Sequence, residues 1–261
     1  MTLTLLLIAA FCAGFIDAIA GGGGLLQFPA LMQCLPGVSL SQVSGTNKGS
    51  SVFGTLAAIP QYARHVRFDA KFLWCTLPAA FACSYGGAFF FDHLDTGERS
   101  KTVLRPLILG LLIAVAIYTY WKKDLGNAHR EQPLGGGHYA FAAGVGAAIG
   151  FYDGFFGPGT GSFLIFVLIR YLRFNFLYST AYAKCINAAT NFGALAYFIP
   201  HDKVLFATAL PMAGANILGG TLGARTAILR GNKFVRILFL LMIAAVITRL
   251  GWDVLQQWHR S

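Results

Sequence analysis

Charged side chains are scarce in this sequence: only 11% of its 261 residues are Asp, Glu, Lys or Arg, while 56% are hydrophobic. With a mean hydropathy of +0.61, the chain is too apolar for an ordinary soluble domain. The sequence has ten acidic residues and twenty basic ones, which gives a formal net charge of +10. Most basic residues lie in short loops beside apolar stretches, a pattern of membrane topology that excludes nucleic acid as an expected partner.

The sequence also lacks the spacings of metal sites and disulfide frameworks. Its five cysteines lie in apolar stretches without a CxxC pair, and its six histidines fall in loops or at segment ends. Neither the ATP-binding signature GxxxxGK[ST] nor the catalytic motifs HExxH and GxSxG occur. We therefore expect a protein that is not an enzyme, does not use ATP directly, and needs no metal or cofactor.

Long apolar segments are abundant, and several reach the roughly 20 residues that a spanning helix needs almost without a charge. The segment at 3–20 has no basic stretch before it and runs into glycines, so we interpret it as a span and not as a signal peptide. The pattern predicts an all-α membrane protein, a polytopic helical bundle with about eight to ten membrane segments, some short or broken. The candidate segments are 3–20, 24–36, 42–62, 70–91, 104–121, 138–156, 160–172, 177–199, 204–224 and 234–255.

The two halves of the sequence resemble each other. The motif GFID at 14–17 recurs as GFYD at 150–153, and Lys48 recurs as Lys184 at the same offset. Because Asp and Lys rarely coincide by chance inside apolar surroundings, the match indicates an internal duplication. We predict a first transmembrane repeat at 1–121, a polar linker at 122–137 and a second transmembrane repeat at 138–261.

Five segments per half is an odd number, so the second half must be inverted if every segment crosses the membrane. The short segments 24–36 and 160–172 leave an alternative open, because 13 helical residues rise only about 20 Å against a core of about 30 Å. If each short segment forms a re-entrant hairpin with its predecessor, eight crossings and parallel halves result. The positive-inside rule makes the more basic side cytoplasmic and both termini external. That side carries Arg64, Arg67, Lys71, Lys122, Lys123, Arg130, Arg170, Arg173, Arg225, Arg230, Lys233 and Arg236.

Two glycine clusters, GGGG at 21–24 and GPGTG at 157–161, each precede a short helical segment. Such turns leave backbone N–H groups open, and the following helix N-terminus adds about half a positive charge, so each turn can hold an anion. The alternative is that the glycines only allow close helix packing in lipid. The substrate-binding glycines expected from this pattern are Gly21, Gly22, Gly23, Gly157 and Gly159.

Asp17 and Asp153 lie inside apolar segments, where an isolated carboxylate would cost several kcal/mol. A carboxyl group that gains and loses a proton near neutral pH would couple transport to protons, and we predict this role for both residues. The alternatives are a structural ion pair or a cap on the amides of the glycine turns.

Lys48 and Lys184 begin polar stretches inside apolar segments. Lys184, Asn187 and Asn191 recur at i, i+3 and i+7, on one face of a helix, and Asn47 precedes Lys48. One ammonium group with several amide donors suits binding of an oxoanion, so these five residues are predicted substrate ligands. The lysines could instead reach the membrane interface, or neutralise the two aspartates.

The stretches GFIDAIAGGGGLLQFP and SGTNKGSS, and their counterparts GFYDGFFGPGTGSF and STAYAKCINAATN, resemble the TauE/SafE membrane permease family over nearly the whole chain. That family is associated with export of sulfite and organosulfonates. The resemblance implies a multi-pass secondary transporter of the bacterial inner membrane that moves sulfur-containing anions. The halves are not strictly regular, since Asn47 corresponds to Ala183 and Ser51 to Asn187.

The expected partners are a small anionic substrate and membrane lipid, and a homodimer is left open. Paired ionisable residues inside the membrane favour coupling of transport to the proton gradient. An anion channel, an intramembrane enzyme and an assembly protein are the alternatives. Uphill accumulation of the anion would exclude the channel, and an assembly protein would not need buried charges.

Overall fold

The computed structural model describes residues 2–94 and 135–258. In these ranges the chain forms eight helices and no strand, which confirms the prediction of an all-α bundle. The candidate segment 104–121 and most of the linker at 122–137 lie outside the described residues. The helices are α1 (Thr2–Ala20), α2 (Gly24–Cys34), α3 (Leu40–Ala63), α4 (Ala70–Leu94), α5 (Gly136–Phe155), α6 (Thr160–Leu172), α7 (Phe176–Phe198) and α8 (Phe206–Trp258).

Polar caps fix the starts of α3 and α7. The Ser39 hydroxyl accepts a hydrogen bond from the Gln42 backbone N–H at 3.2 Å, while the Gln42 side chain accepts one from the Ser39 N–H. This is a capping box, which satisfies two donors of the first turn. Asn175 caps α7 by accepting from the Tyr178 N–H at 2.8 Å. The segments at 204–224 and 234–255 both lie within α8, in two helical stretches that the non-helical residue Gly231 (φ 70°, ψ −171°) separates, as the sequence predicts.

The first helix of each half packs against the fourth helix of the other half. Gly219 and Gly223 of α8 touch the backbone of Phe11 and Phe15 in α1 so closely that a Cβ at either glycine would clash. Gly219 lies against Phe11 and Gly223 against Phe15, so residue numbers increase in the same direction along both helices. The helices α1 and α8 are therefore parallel. Glycines bring these backbones into contact, which is how membrane helices gain packing energy without a hydrophobic driving force between them.

The same arrangement joins α5 to α4. Gly150 and Gly154 lie against the backbone of Ala80 and Ser84. The Ser84 hydroxyl donates a hydrogen bond to the Thr190 carbonyl oxygen in α7 at 2.7 Å. This pair is also parallel, so α4 ends and α5 begins at opposite ends of the bundle.

The helices α3 and α7 run antiparallel. Gly45, in the second turn of α3, lies against Phe198 and Lys203 at the end of α7. Beyond the other end of α3, the Asp69 N–H donates to the Tyr182 hydroxyl near the start of α7 at 2.6 Å. Corresponding helices of the two halves therefore run in opposite directions, so the alternative of parallel halves is wrong. The duplication and its boundaries remain predictions.

Two helical hairpins enter the bundle from opposite ends. Leu31 of α2 packs with Leu6 of α1 and Val43 of α3, so α2 returns towards the end where α1 starts. The Phe141 ring of α5 lies 5.1 Å from the Tyr171 ring at the end of α6, so this pair forms a second hairpin. With 11 and 13 residues, α2 and α6 rise about 17 and 20 Å, too short to cross a core of about 30 Å.

Among the described helices, α1 and α4 are long and apolar enough to qualify as membrane spans, and α6 is a shorter apolar helix. The helices α3 and α7 have the length, 24 and 23 residues, but carry polar side chains along the face that is buried in the bundle. The polar side chains of α3 and α7 therefore face the interior of the bundle, where the functional groups of membrane proteins usually lie.

Adjacent glycines of α4 provide a matched test of this packing. A Cβ at Gly87 would clash with the Phe151 carbonyl and lie 2.7 Å from the Phe155 nitrogen, whereas one at Gly86 would meet no described atom within 4 Å. We expect Gly87→Ala to destabilise the protein by about 1–3 kcal/mol through overpacking, while Gly86→Ala leaves stability unchanged or slightly raised. Thermal unfolding in detergent measures both variants. Equal unfolding temperatures would contradict the close α4–α5 contact.

Candidate functional site

The tips of the two hairpins meet inside the bundle. Gly21, Gly157 and Gly159 have φ values of +74°, +87° and +91°, which L side chains rarely adopt, so the turns require glycine. A Cβ at Gly161 would lie 2.5 Å from the Gly21 Cα, so the two backbones are in direct contact. The Ser162 hydroxyl lies 3.1 Å from the Gly21 carbonyl oxygen and adds a polar contact between the tips.

Two ion pairs cross between the halves at this point. Lys48 Nζ of α3 lies 2.6 Å from Asp153 Oδ2 of α5, and Lys184 Nζ of α7 lies 2.7 Å from Asp17 Oδ2 of α1. The exposed fractions of the two lysine side chains are 3% and 0%, so neither reaches the membrane interface. Of the alternatives open at the sequence level, neutralisation of the aspartates is the one observed.

The pair of Lys48 and Asp153 has further partners. Lys48 Nζ donates to Asn191 Oδ1 at 3.3 Å, and the Thr160 hydroxyl donates to Asp153 Oδ1 at 2.7 Å. Thr160 Oγ1 also lies 2.6 Å from the Gly157 carbonyl oxygen, so its hydroxyl has two acceptors within reach. Because Thr160 is the first residue of α6, the carboxylate is linked directly to the start of that helix.

A cavity of about 30 Å³ lies between the hairpin tips, α3 and α7. Ten of the twelve residues predicted from the sequence line it, and Gly22 and Lys184 do not. Lys184 forms an ion pair with Asp17, which does line it. The lining is Ala13, Asp17, Gly21, Gly23, Gly24, Gln27, Asn47, Lys48, Ser51, Asp153, Gly157, Gly159, Thr160, Gly161, Asn187, Asn191 and Asn216.

Sequence reasoning missed two buried amides of this lining, Gln27 and Asn216. Asn216 Nδ2 donates to Gln27 Oε1 at 2.8 Å and to the Ala10 carbonyl at 3.1 Å, and Gln27 Nε2 donates to the Asn47 carbonyl at 3.3 Å. The network joins α1, α2, α3 and α8. Both residues are single polar amides in otherwise apolar segments, and this pattern could have indicated that they are buried in the protein and do not face lipid.

The charges of the site balance, with two lysines against two aspartates. Each carboxylate holds an ammonium group, which is the ion-pair alternative for the two aspartates, and their proton-coupling role stays a prediction. An anion that enters the cavity must therefore compete with a carboxylate for a lysine. The hairpin tips add the positive ends of α2 and α6, which begin at Gly24 and Thr160 on the cavity wall.

Comparison with known proteins gives a consistent group of relatives. The family model described as "Sulfite exporter TauE/SafE" matches residues 6–250. The chain is 34% identical over 253 residues to the "Probable membrane transporter protein YfcA" of Escherichia coli (strain K12), covering 97% of this chain and 91% of the relative. It is 32% identical to a "Probable membrane transporter protein" of Haemophilus influenzae, covering 96% of both chains. It is 35% identical to the "Probable membrane transporter protein ORF9" of Sinorhizobium sp, covering 96% and 93%. No solved structure matches.

Proposed function

Because the chain belongs to the sulfite exporter TauE/SafE family and is a membrane transporter, we propose that it moves a small sulfur-containing anion across the bacterial inner membrane by secondary transport. Sulfite and sulfonates are the candidate substrates, and proton coupling is part of the proposal. The observation that carries it is the small cavity where two glycine tips meet a buried lysine that already binds a carboxylate.

The chemistry of the cavity favours an oxoanion. Lys48 supplies a full charge, the amides of Asn187 and Asn191 supply donors, and the tips supply helix N-termini. A lysine that binds a carboxylate has the geometry to bind another oxygen anion in its place. A volume of about 30 Å³ holds about two water-sized groups, fewer than the four heavy atoms of sulfite, so the cavity must widen to bind the anion, and a compact ion requires less widening than a long sulfonate.

The ion pairs provide the mechanism. When the anion takes the ammonium group, the displaced carboxylate remains buried without a counter-charge, and its ionised form is then strongly disfavoured. It takes up one proton, so the anion and the proton bind together. Because the pair of Lys48 and Asp153 joins α3 of one half to α5 of the other, its exchange also loosens the contact between the halves. Movement of one hairpin against the other would then expose the site to alternate sides.

The distribution of basic residues supports a multi-pass arrangement with one cytoplasmic end. Arg225 Nε donates to Gln61 Oε1 at the end of α3, and Asn232, beside Lys233, accepts from the Leu177 N–H at the start of α7. These contacts gather the basic residues of α8 at the end of the bundle that carries Arg64 and Arg67. The positive-inside rule makes this end cytoplasmic.

Labelling of single cysteines tests this orientation. His65 follows α3 and His201 follows α7, and both are exposed at opposite ends of the antiparallel pair. In a background without native cysteines, we expect an impermeant thiol reagent to label His201→Cys in intact cells and His65→Cys only after permeabilisation. The reverse pattern would invert the orientation, and labelling of both in intact cells would contradict the multi-pass arrangement.

Transport in proteoliposomes tests the function. We expect the purified protein to accumulate sulfite or a short alkyl sulfonate against its gradient when a pH difference is imposed, and to leave chloride behind. Protein-free liposomes provide the control for direct permeation. Downhill flux alone would show a channel, and no flux of any sulfur oxoanion would reject the proposal.

A further inference from the structure

We infer that the two crossed ion pairs have different roles: Lys48 binds the anion, Asp153 with Thr160 takes the proton, and Lys184 with Asp17 is a fixed tie between the halves. This inference rests on the proposed function and assigns its steps to residues. The sequence treats the pairs as equivalent, because Asp17 corresponds to Asp153 and Lys48 to Lys184 at one offset. The structure separates them by their contacts.

Access separates the two lysines. Lys48 lines the cavity, and its ammonium group lies beside the glycine tip, 3.5 Å from where a Cβ of Gly157 would be. Lys184 is fully buried and does not line the cavity, whereas its partner Asp17 does. An anion in the cavity can therefore reach the Lys48 ammonium, whereas at the other pair it would meet the negative carboxylate. Only the first pair is placed to exchange its partner.

The surroundings of the carboxyl groups separate the two aspartates. Thr160 Oγ1 lies 2.7 Å from Asp153 Oδ1 and 2.6 Å from the Gly157 carbonyl oxygen. While Asp153 is ionised, the hydroxyl donates to the carboxylate. When Asp153 gains a proton, its own O–H donates to Thr160 Oγ1, and the hydroxyl turns to the Gly157 carbonyl.

Asp153 Oδ1 thus keeps a hydrogen-bond partner in both protonation states without movement of the backbone, which lowers the cost of burying the protonated carboxyl group. The residue that corresponds to Thr160 in the first half is Gly24, which has no hydroxyl. Asp17 therefore lacks the partner that would receive its proton. The proton comes from the aqueous phase facing the loaded site and leaves with the anion, one proton for each carboxylate displaced.

Thr160 gives a test that a purely structural role would not pass. Two assays in proteoliposomes separate the steps: exchange of labelled sulfite at equal pH reports the anion site, and accumulation under a pH difference reports the proton. We expect Thr160→Val to exchange sulfite at a rate within about threefold of wild type, and to accumulate at least tenfold less sulfite under the pH difference. Thr160→Ser, which restores the hydroxyl, should recover accumulation. Wild-type accumulation by Thr160→Val would overturn the assignment.

The second arm compares the pairs. Asp153→Asn should keep exchange and lose accumulation, because the anion still reaches Lys48 but no proton is bound. The double variant Asp17→Asn with Lys184→Met, which removes both charges of the other pair, should lower exchange and accumulation by the same factor, because this pair joins the halves but carries no proton. Selective loss of accumulation in this double variant, recovered folded by size-exclusion chromatography, would place the proton on Asp17 and overturn the inference. Absence of sulfite exchange in the wild-type protein would instead reject the proposed function itself.

Discussion

Replacement of Lys48 by Met is expected to reduce sulfite transport to the level of protein-free liposomes and to destabilise the protein at the same time. Lys48 and Asp153 are each 97% buried, and their charged atoms are 2.6 Å apart. Removing one partner of such a pair leaves an unpaired buried charge, which costs about 3–5 kcal/mol. The transport defect has a different cause, because the cavity loses the ammonium group that binds the anion.

A second substitution separates the two effects. In the double variant Lys48→Met with Asp153→Asn no charge is left unpaired, so we expect the unfolding temperature to return close to wild type while transport stays absent. Recovery of transport in that double variant would show that Lys48 only neutralises Asp153.

Lys203→Met is the matched control for the same substitution. Lys203 lies 2.8 Å from Asp92, but the two side chains are 29% and 12% exposed, so water compensates the lost pair in part. We expect a smaller loss of stability there than for Lys48→Met, and retained sulfite transport. An equal loss of stability in both variants would contradict the special cost of the buried pair.

Substitution of Gly161 by Ala is expected to lower transport at least tenfold and to destabilise the protein by about 1–3 kcal/mol. The new Cβ would lie 2.5 Å from the Gly21 Cα and 2.6 Å from the Gly21 carbonyl oxygen. Because these neighbours are backbone atoms of a turn with positive φ, they cannot move aside as a flexible side chain could. The two hairpin tips would have to separate, and the cavity that they enclose would change shape.

Two other glycines control for the added methyl group. A Cβ at Gly24 would meet Pro158 at 3.6 Å and Asn47 at 3.9 Å, which are ordinary van der Waals contacts, so Gly24→Ala should keep the unfolding temperature of the wild type. Gly144→Ala in α5 meets no described atom within 4 Å and should keep both stability and transport. Thermal unfolding and sulfite uptake are measured on the same preparations. Wild-type transport by Gly161→Ala would show that the contact of the tips is not needed for function.

Most of the candidate site could be predicted from the sequence, because its residues violate the rule that membrane segments are apolar. Asp17, Lys48, Asp153 and Lys184 stand out for this reason, and so do the glycine clusters before two short helices. The sequence left inverted and parallel halves open, and the antiparallel course of α3 and α7 decided between them. Gln27 and Asn216 were missed since single amides in apolar segments do not reveal which neighbours they bind.

Composition and local pattern by themselves determined the helical membrane bundle, the glycine turns and the four buried charges, because each of these depends on the cost of placing a residue type in an apolar environment. Only the tertiary structure decided which lysine meets which aspartate, since both pairs join residues more than a hundred positions apart. It also decided that Lys48 lines the cavity while Lys184 does not. Asp153 and Asp17 occupy equivalent positions in the duplicated sequence, but their surroundings differ. The Thr160 hydroxyl donates to Asp153, whereas the residue that corresponds to Thr160 in the first half is Gly24, which has no side chain to donate.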